Sequence, residues 1–329
     1  MKRVLLVIGT AILAMSVFAA GCTTTPAKEG NDLNSGGEQK FLTIATGGVS
    51  GPYYTIGGAL AKVYKEKLDY HTAIQSTDGS VENVNLLENR KADLAFVMSD
   101  VASFALKGQE GFKASGPSLR FKAVAGLYFN YVQIVTLAEN HIQTVYDLKG
   151  KRVGVGAPNS GVEVNAQMIL GEHGITYHDI EPEYLSYSEA IEQLKNKSID
   201  AAFVTSGLPN NAVTNLQKSK EVAIVPINPS DINRLTATYP FFEKAEIPAG
   251  VYQNKQPVPT VAIRNILLVR SDLPNEQVYR LTKSLFENLK TVKQAHEAAS
   301  QISKKEAGKG LLVPLHPGAK QYYDETVRP

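Results

Sequence analysis

Asn89-Arg90-Lys91-Ala92-Asp93-Leu94-Ala95-Phe96-Val97-Met98-Ser99 returns a domain's length later as Asn196-Lys197-Ser198-Ile199-Asp200-Ala201-Ala202-Phe203-Val204-Thr205-Ser206. Asn, Asp, Ala, Phe, Val and Ser recur in register, and each copy follows a helix-like segment ending in Leu. A helix–turn–strand–Ser unit repeated at this spacing predicts two similar α/β halves, and two halves make a cleft.

Outward from the first copy, strands alternate with loops and helices. Phe41–Thr46, His71–Gln75 and Leu94–Met98 read as strands. Gly51/Pro52, Ser80 and Ser99 open the helices between them, with Pro52 at a first helical position. This alternation predicts a parallel sheet. Phe121–Leu127 and Tyr131–Ala138 read as two apolar strands, after which the pattern restarts. Arg152–Val155 is a strand, Asn159-Ser160-Gly161 opens a helix, Tyr184-Leu185 is a weak strand, and Ser188–Lys195 is a helix. Residues 228–258 read as loop with short elements. Val261–Val269 reads as a strand interrupted at Arg264-Asn265, and residues 275–299 as helix. The simplest topology is a discontinuous first lobe, 41–130 plus 265–329, with residues 131–264 inserted as the second. Crossings near Tyr131 and Arg264 would then be the hinge.

Residues 1–21 carry the plan of a signal peptide: Lys2-Arg3, an apolar run from Val4 to Ala20, then small residues before Cys22. Cys22 is the single cysteine, which excludes an internal disulfide. Its place after Ala20-Gly21 fits a bacterial lipoprotein signal, so lipidation and an extracytoplasmic, membrane-anchored location are expected. Residues 22–40 hold Thr, Pro, Lys, Gly, Asn, Ser and Glu, with Leu33 the one large apolar residue, and read as a flexible tether. Losing Lys2 and Arg3 leaves 32 basic residues against 32 acidic ones. A net charge of zero gives no ground for nucleic-acid binding.

In an open α/β sheet, ligands sit beyond the carboxyl ends of the strands. The loops expected there, 46–54, 76–83, 99–100, 157–163 and 205–210, are full of Gly, Ser, Thr and Asn. Several of them open helices, whose free N–H groups favour an anion such as a carboxylate. Ser and Asn are also common as plain helix caps. Gly154-Val155-Gly156 lacks the closing Gly of a dinucleotide fingerprint, and no P-loop is present. No Gly-x-Ser-x-Gly elbow occurs, and the six histidines are scattered. Glu172, His173 and His178 read as surface polar residues, and Arg90 and Arg152 as surface charges. Arg234 and Arg264 read as lying nearer the hinge, either able to meet a carboxylate, with a structural ion pair as the favoured reading. No metal and no cofactor are expected.

Longer motifs carry a resemblance. They are Ile44-Ala45-Thr46-Gly47-Gly48 with Gly51-Pro52-Tyr53-Tyr54, Gly79-Ser80-Val81-Glu82-Asn83, and Ala92–Asp100. Leu148–Pro158, Ser160-Gly161, Ile247-Pro248-Ala249-Gly250, Val258-Pro259-Thr260-Val261 and Pro314–Ala319 complete the set. Together they resemble a TAXI-type solute-binding protein of a TRAP transporter, in lipoprotein form. The resemblance implies a two-lobed periplasmic-binding-protein fold (type II-like), with two α/β domains joined by hinge strands. It implies a non-enzymatic, monomeric receptor for a glutamate-like amino acid or related organic acid, and partnership with TRAP permease subunits. It points to Ser50, Tyr53, Tyr54, Ser80, Asn83, Ser99, Asp100, Tyr128, Asn159, Ser160, Gly161 and Thr205 as ligand-facing. At the second-lobe loop the family usually has Gly-Ser-Gly-Thr, where this chain has Asn159-Ser160-Gly161-Val162. Val162 removes a hydroxyl and Asn159 adds an amide. An unmatched ligand hydrogen bond costs about 1–3 kcal/mol, enough to move preference between similar acids. A ligand-sensing lipoprotein and an extracytoplasmic enzyme on the same fold are the alternatives.

Overall fold

The computed structural model describes residues 40–327. The signal segment, Cys22 and nearly all of the tether lie outside the described residues. The first part of the chain builds β1 (Phe41–Ala45), α1 (Pro52–Leu68), β2 (His71–Gln75), α2 (Ser80–Glu88), β3 (Leu94–Met98) and α3 (Ser99–Lys107). Then come β4 (Phe121–Leu137), β5 (Arg152–Gly154), α4 (Gly161–Glu172), β6 (Glu181–Glu183), α5 (Tyr187–Lys195) and β7 (Ala201–Ser206). α6 (Asn211–Gln217), β8 (Val222–Val225), α7 (Pro229–Thr238), β9 (Phe242–Ile247) and β10 (Val258–Arg270) follow. The chain closes with α8 (Asn275–Glu287), α9 (Leu289–Ala295), α10 (Lys304–Ala307) and α11 (Pro317–Thr326). Among the described residues no helix is long and apolar enough to cross a membrane.

The strands form one sheet in the order β2-β1-β3-β10-β4-β7-β5-β6, with β8 beside β4 and β9 beside β10. It is mixed. β1 runs parallel to β2 and β3, and β5 runs parallel to β6 and β7. β10 is antiparallel to β3 and β4, and β4 is antiparallel to β7. Parallel pairing is thus confined to the two ends, and the middle is antiparallel. The two strands expected around residues 121–138 are one continuous strand. β10 likewise runs through Arg264-Asn265 and absorbs them as a register shift against β4. Gly126 permits this: a side chain there would run into the Arg264 guanidinium. Residues 228–258 hold α7 and β9 rather than loop alone. The weak strand expected at Tyr184-Leu185 falls instead at Glu181–Glu183. The long C-terminal helix breaks at Asn288.

The repeat has a common local geometry. α2 and α5 end on Asn89 and Asn196 with nearly equal dihedrals, φ −89 and −88. Arg90 and Lys197 follow in the left-handed region at φ 57 and 60. Each repeated Asp then accepts a backbone N–H of the neighbouring parallel strand. Asp93 Oδ2 accepts from Thr43 N at 2.8 Å, and Asp200 Oδ2 accepts from Arg152 N at 2.9 Å. The strand that follows, β3 or β7, is buried along its whole length, as a strand covered on both faces must be.

Apolar side chains cluster accordingly. Two core clusters draw on residues 42–128 and 266–327. Two others draw on residues 132–263, joined by Met98. β4 and β10 pass between the two groups side by side.

Asp200 also pairs with the Arg152 guanidinium, at 2.7 Å and 3.1 Å, and that partner holds its carboxyl below the usual range. A depressed carboxyl stabilises the fold above its unfolded pKa of about 3.9 and loses that effect as pH falls through the lowered value. Asp200→Asn is therefore expected to lower the urea midpoint at neutral pH. The deficit should shrink as the pH is taken well below the ordinary carboxylate range, and a deficit unchanged with pH would assign the effect to packing instead.

Candidate functional site

A cavity of about 590 Å³ opens where the loops after the parallel strands meet, a volume typical of small-molecule sites. One wall is made by the Gly47–Tyr53 loop into α1, the Ser76–Ser80 loop into α2, and Met98 at the end of β3. The facing wall is made by the Ala157–Val162 loop into α4, the Leu185–Glu189 segment into α5, and Thr205 and Ser206 at the end of β7. Asn130 contributes from β4. The repeat thus supplies both walls: Met98 and Thr205 occupy equivalent places in its two copies.

Four helix N-termini converge on this space, that of α5 closed by the Ser186–Glu189 capping box. α1 starts after Gly51, behind Pro52, and α2 starts after Gly79; neither has a side-chain cap. α4 starts at Ser160, whose hydroxyl accepts from Glu163 N at 3.1 Å. Gly79 sits at φ 125, a conformation open to glycine, and a Cβ there would lie 3.7 Å from the Ser160 side chain. The starts of α2 and α4 therefore come face to face. Glu82 N donates across to Asn159 O at 3.1 Å, and Ser188 Oγ donates to Ser50 Oγ at 3.1 Å.

Ser50, Tyr53, Ser80, Ser160, Gly161, Val162 and Thr205 all reach the cavity wall. The structure does not bring the other six expected residues there. Tyr54 turns off the wall because the next position on a helix faces about 100° away. Asn83 is fully buried, donating to Thr46 O at 2.6 Å and Phe96 O at 2.8 Å and accepting from Thr77 Oγ1 at 2.7 Å. It ties the ends of β1 and β3 to the loop after β2. Ser99 begins α3, and Met98 takes its place at the wall. Asp100 is fully buried and bonded to Asn165. Tyr128 is buried edge-on to Tyr53, its hydroxyl without a partner. Asn159 is exposed at φ 58 and offers its carbonyl rather than its side chain.

Several wall residues were not expected from sequence. Leu185–Glu189 were missed because Tyr184-Leu185 read as strand; the signal available was Ser186 with Glu189, a capping box that opens α5. Tyr187 donates its hydroxyl to Thr205 O at 2.6 Å. Asn130 fell in the break expected between two strands, and the structure places it within the continuous β4. It accepts from Asn265 Nδ2 at 2.9 Å, and Asn265 Oδ1 takes the Tyr53 hydroxyl at 2.5 Å. Burial raises the Tyr53 and Tyr187 phenols, so both are neutral hydrogen-bonding groups.

The charged residues suggested earlier lie elsewhere. Arg264 donates to Lys309 O and Glu306 O at 2.7 and 2.8 Å, and Arg234 pairs with Glu172 and Asp231. His173 is buried rather than exposed, with Nε2 3.0 Å from Asp231. The cavity wall holds no Lys, Arg or His. Its carboxylates are Asp78, Glu82 and Glu189. Two of these are engaged in caps: Glu82 accepts from Asp78 N at 2.7 Å and Glu189 from Ser186 N at 2.8 Å. Thr205 Oγ1 is different, because it lies on the wall, fully buried and without a partner. Among the described residues no His, Cys, Asp and Glu cluster is placed to hold a metal ion.

Residues 44–326 match the NMT1-like family. Among solved structures, one described as a periplasmic transporter aligns with a TM-score of 0.53 at 14% identity, over 88% of this chain and 93% of that one. PhnD1 from Prochlorococcus marinus, in complex with methylphosphonate, aligns with a TM-score of 0.51 at 12% identity, over 79% and 89%. The periplasmic aliphatic sulphonate binding protein SsuA from Escherichia coli covers 88% and 84% at 18% identity, with a TM-score of 0.45. At these identities the likeness is one of fold: a two-lobed α/β periplasmic-binding-protein architecture.

A buried hydroxyl with no partner is a cost to the ligand-free protein. Thr205→Val removes it at nearly constant volume, and the unliganded chain is expected to gain about 1 kcal/mol in urea unfolding. A loss of stability would mean that the hydroxyl is already satisfied.

Proposed function

The chain belongs to the NMT1-like family, and from that premise we propose that it is an extracytoplasmic solute receptor which closes on a small carboxylate in the cleft between its lobes. The observation that carries this reading is the convergence of α1, α2 and α4 on one cavity whose wall has no cationic side chain. Free N–H groups at helix starts hold an anion without a counter-charge. Thr205 Oγ1 and the Ser80 and Ser160 hydroxyls add directional contacts. Tyr53 and Tyr187 give the ligand aromatic walls. Val162 leaves part of the second-lobe loop apolar, which favours a ligand with less hydrogen-bonding capacity at that end.

In this reading residues 41–130 and 265–329 form lobe I, and residues 131–264 form lobe II. The division of the apolar clusters supports that boundary. The finer assignment is a TAXI-type receptor that delivers its solute to a TRAP permease, anchored through a lipid on Cys22. It rests on the sequence motifs. The chemistry of the cavity favours a receptor over an enzyme, because Ser160 and Thr205 have no His or Lys on the wall to activate them.

A ligand that binds only the folded state raises stability by mass action. Thermal-shift and calorimetric titration with glutamate, glutamine, glutarate and 2-oxoglutarate, against sugars and nucleosides, is expected to give hits among the acids. A response only to sugars or nucleosides would overturn the carboxylate reading. Ser160→Trp should abolish binding. Thr205→Val should weaken it by roughly tenfold, in the range of a lost buried hydrogen bond, while leaving the protein folded.

A further inference from the structure

Asp100, at the start of α3, and Asn165, within α4, lie on helices packed into different core groups. Both residues are fully buried. Asn165 Nδ2 donates to Asp100 Oδ2 at 2.6 Å, and Val101 N donates to Asp100 Oδ1 at 2.7 Å. Asn165 Oδ1 has no partner. One turn along α3, Phe104 meets Phe241 edge-on with ring centroids 5.5 Å apart. Phe104 and Val164 each pack against clusters of both groups. This patch therefore joins the lobes at a place where neither β4 nor β10 does so.

A carboxylate in such a place is costly unless a cation or a full set of donors compensates it. Asp100 has two donors and no ion pair. A proton offers the other solution. It removes the charge and supplies a hydroxyl, and Asn165 Oδ1 is the acceptor that lacks a donor.

We propose that Asp100 and Asn165 are positioning residues that latch the two lobes together, and that a proton on Asp100 strengthens the latch. Neither residue touches the cavity wall, so they act on solute binding through closure alone. Burial pushes the Asp100 carboxyl up to about 7, against the opposing pull of Val101 N–H and the Asn165 amide. α3 packs on α2, β3, β10 and the short turn Glu110–Phe112. No Lys, Arg, His or second carboxylate from these elements or from α4 figures among the groups acting on Asp100. From α1, the Tyr53 phenol is the titratable group that senses it. When the lobes part and water reaches the site, the carboxyl returns toward its ordinary range. The closed form thus holds the proton more tightly. Closure is favoured below that raised value and weakens as pH rises through it.

The latch makes closure proton-dependent with or without solute, although its role in transport rests on the solute-receptor reading. The chain contains no Trp, so Phe241→Trp in the full chain gives a single reporter at the lobe contact, and Phe104→Trp gives a second if the first fails to fold. Without ligand, raising the pH from about 5 to 8 is expected to red-shift the emission as the contact opens. Asp100→Asn, a neutral isostere, should remove the shift and keep the low-pH spectrum throughout. Asn165→Ala should give the open spectrum at both pH values. With a bound acid, wild-type affinity should fall at least tenfold over the same interval of about three pH units, and Asp100→Asn should flatten that profile. A pH-independent emission of the Phe241→Trp chain, or a shift that survives Asp100→Asn in that chain, overturns the latch. If no carboxylate binds, the solute reading falls and the fluorescence result still decides the latch.

Discussion

β4 and β10 lie side by side across the whole middle of the sheet, with Ala262 opposite Tyr131 and Arg270 opposite Phe121. Every other element takes its place from that pair. β3 adds to one edge of it and brings β1 and β2, while β7 adds to the other and brings β5 and β6. Two antiparallel strands satisfy each other's backbone groups without a helix between them, so they can serve both halves at once. The register shift at Arg264 and the bare backbone of Gly126 belong to this passage. Arg264 leaves the pair there and closes the carbonyls of Glu306 and Lys309, fastening the C-terminal segment to it.

The cavity is a consequence of that arrangement. Parallel strands on either side end toward the same space, so the helices that follow them start there. A helix start is electropositive by virtue of its backbone, and the cleft has such starts on its walls with no lysine or arginine beside them. Gly and Ser stand at those starts, at Gly51, Gly79, Ser80 and Ser160, where bulky side chains would cover the N–H groups. Polar residues just off the wall keep it rigid. Asn83 binds three segments, and Asn265 couples Tyr53 to Tyr128 O and Asn130. Asn83 and Asn265 thus place the loops that line the cavity without themselves standing on its wall.

Much of the scaffold was legible in the chain. The strands and helices of the first half, the α/β class and the two related halves follow from apolar periodicity and from Ser, Pro and Gly at helix starts. The repeated Asp could be placed, but its role in accepting a backbone N–H of the neighbouring strand could not. The site was legible as loops more than as residues. Ser50, Ser80, Ser160 and Thr205 stand on the wall. Asn83, Ser99, Asp100 and Tyr128 belong to the same motifs yet point into the protein.

The chain by itself determined the two-half α/β organisation, the loops that carry the site and the signal-like start, because each is written in local pattern: period, cap and turn. Only the tertiary structure decided which way each polar side chain in those loops faces, that β4 and β10 are unbroken, and that Asp100 meets Asn165. The reason is physical. A helix start fixes where N–H groups point, but whether the adjoining Asn or Asp meets ligand, backbone or another lobe depends on what packs against it from far along the chain. Asn165 lies 65 residues from Asp100, and no local pattern records that contact.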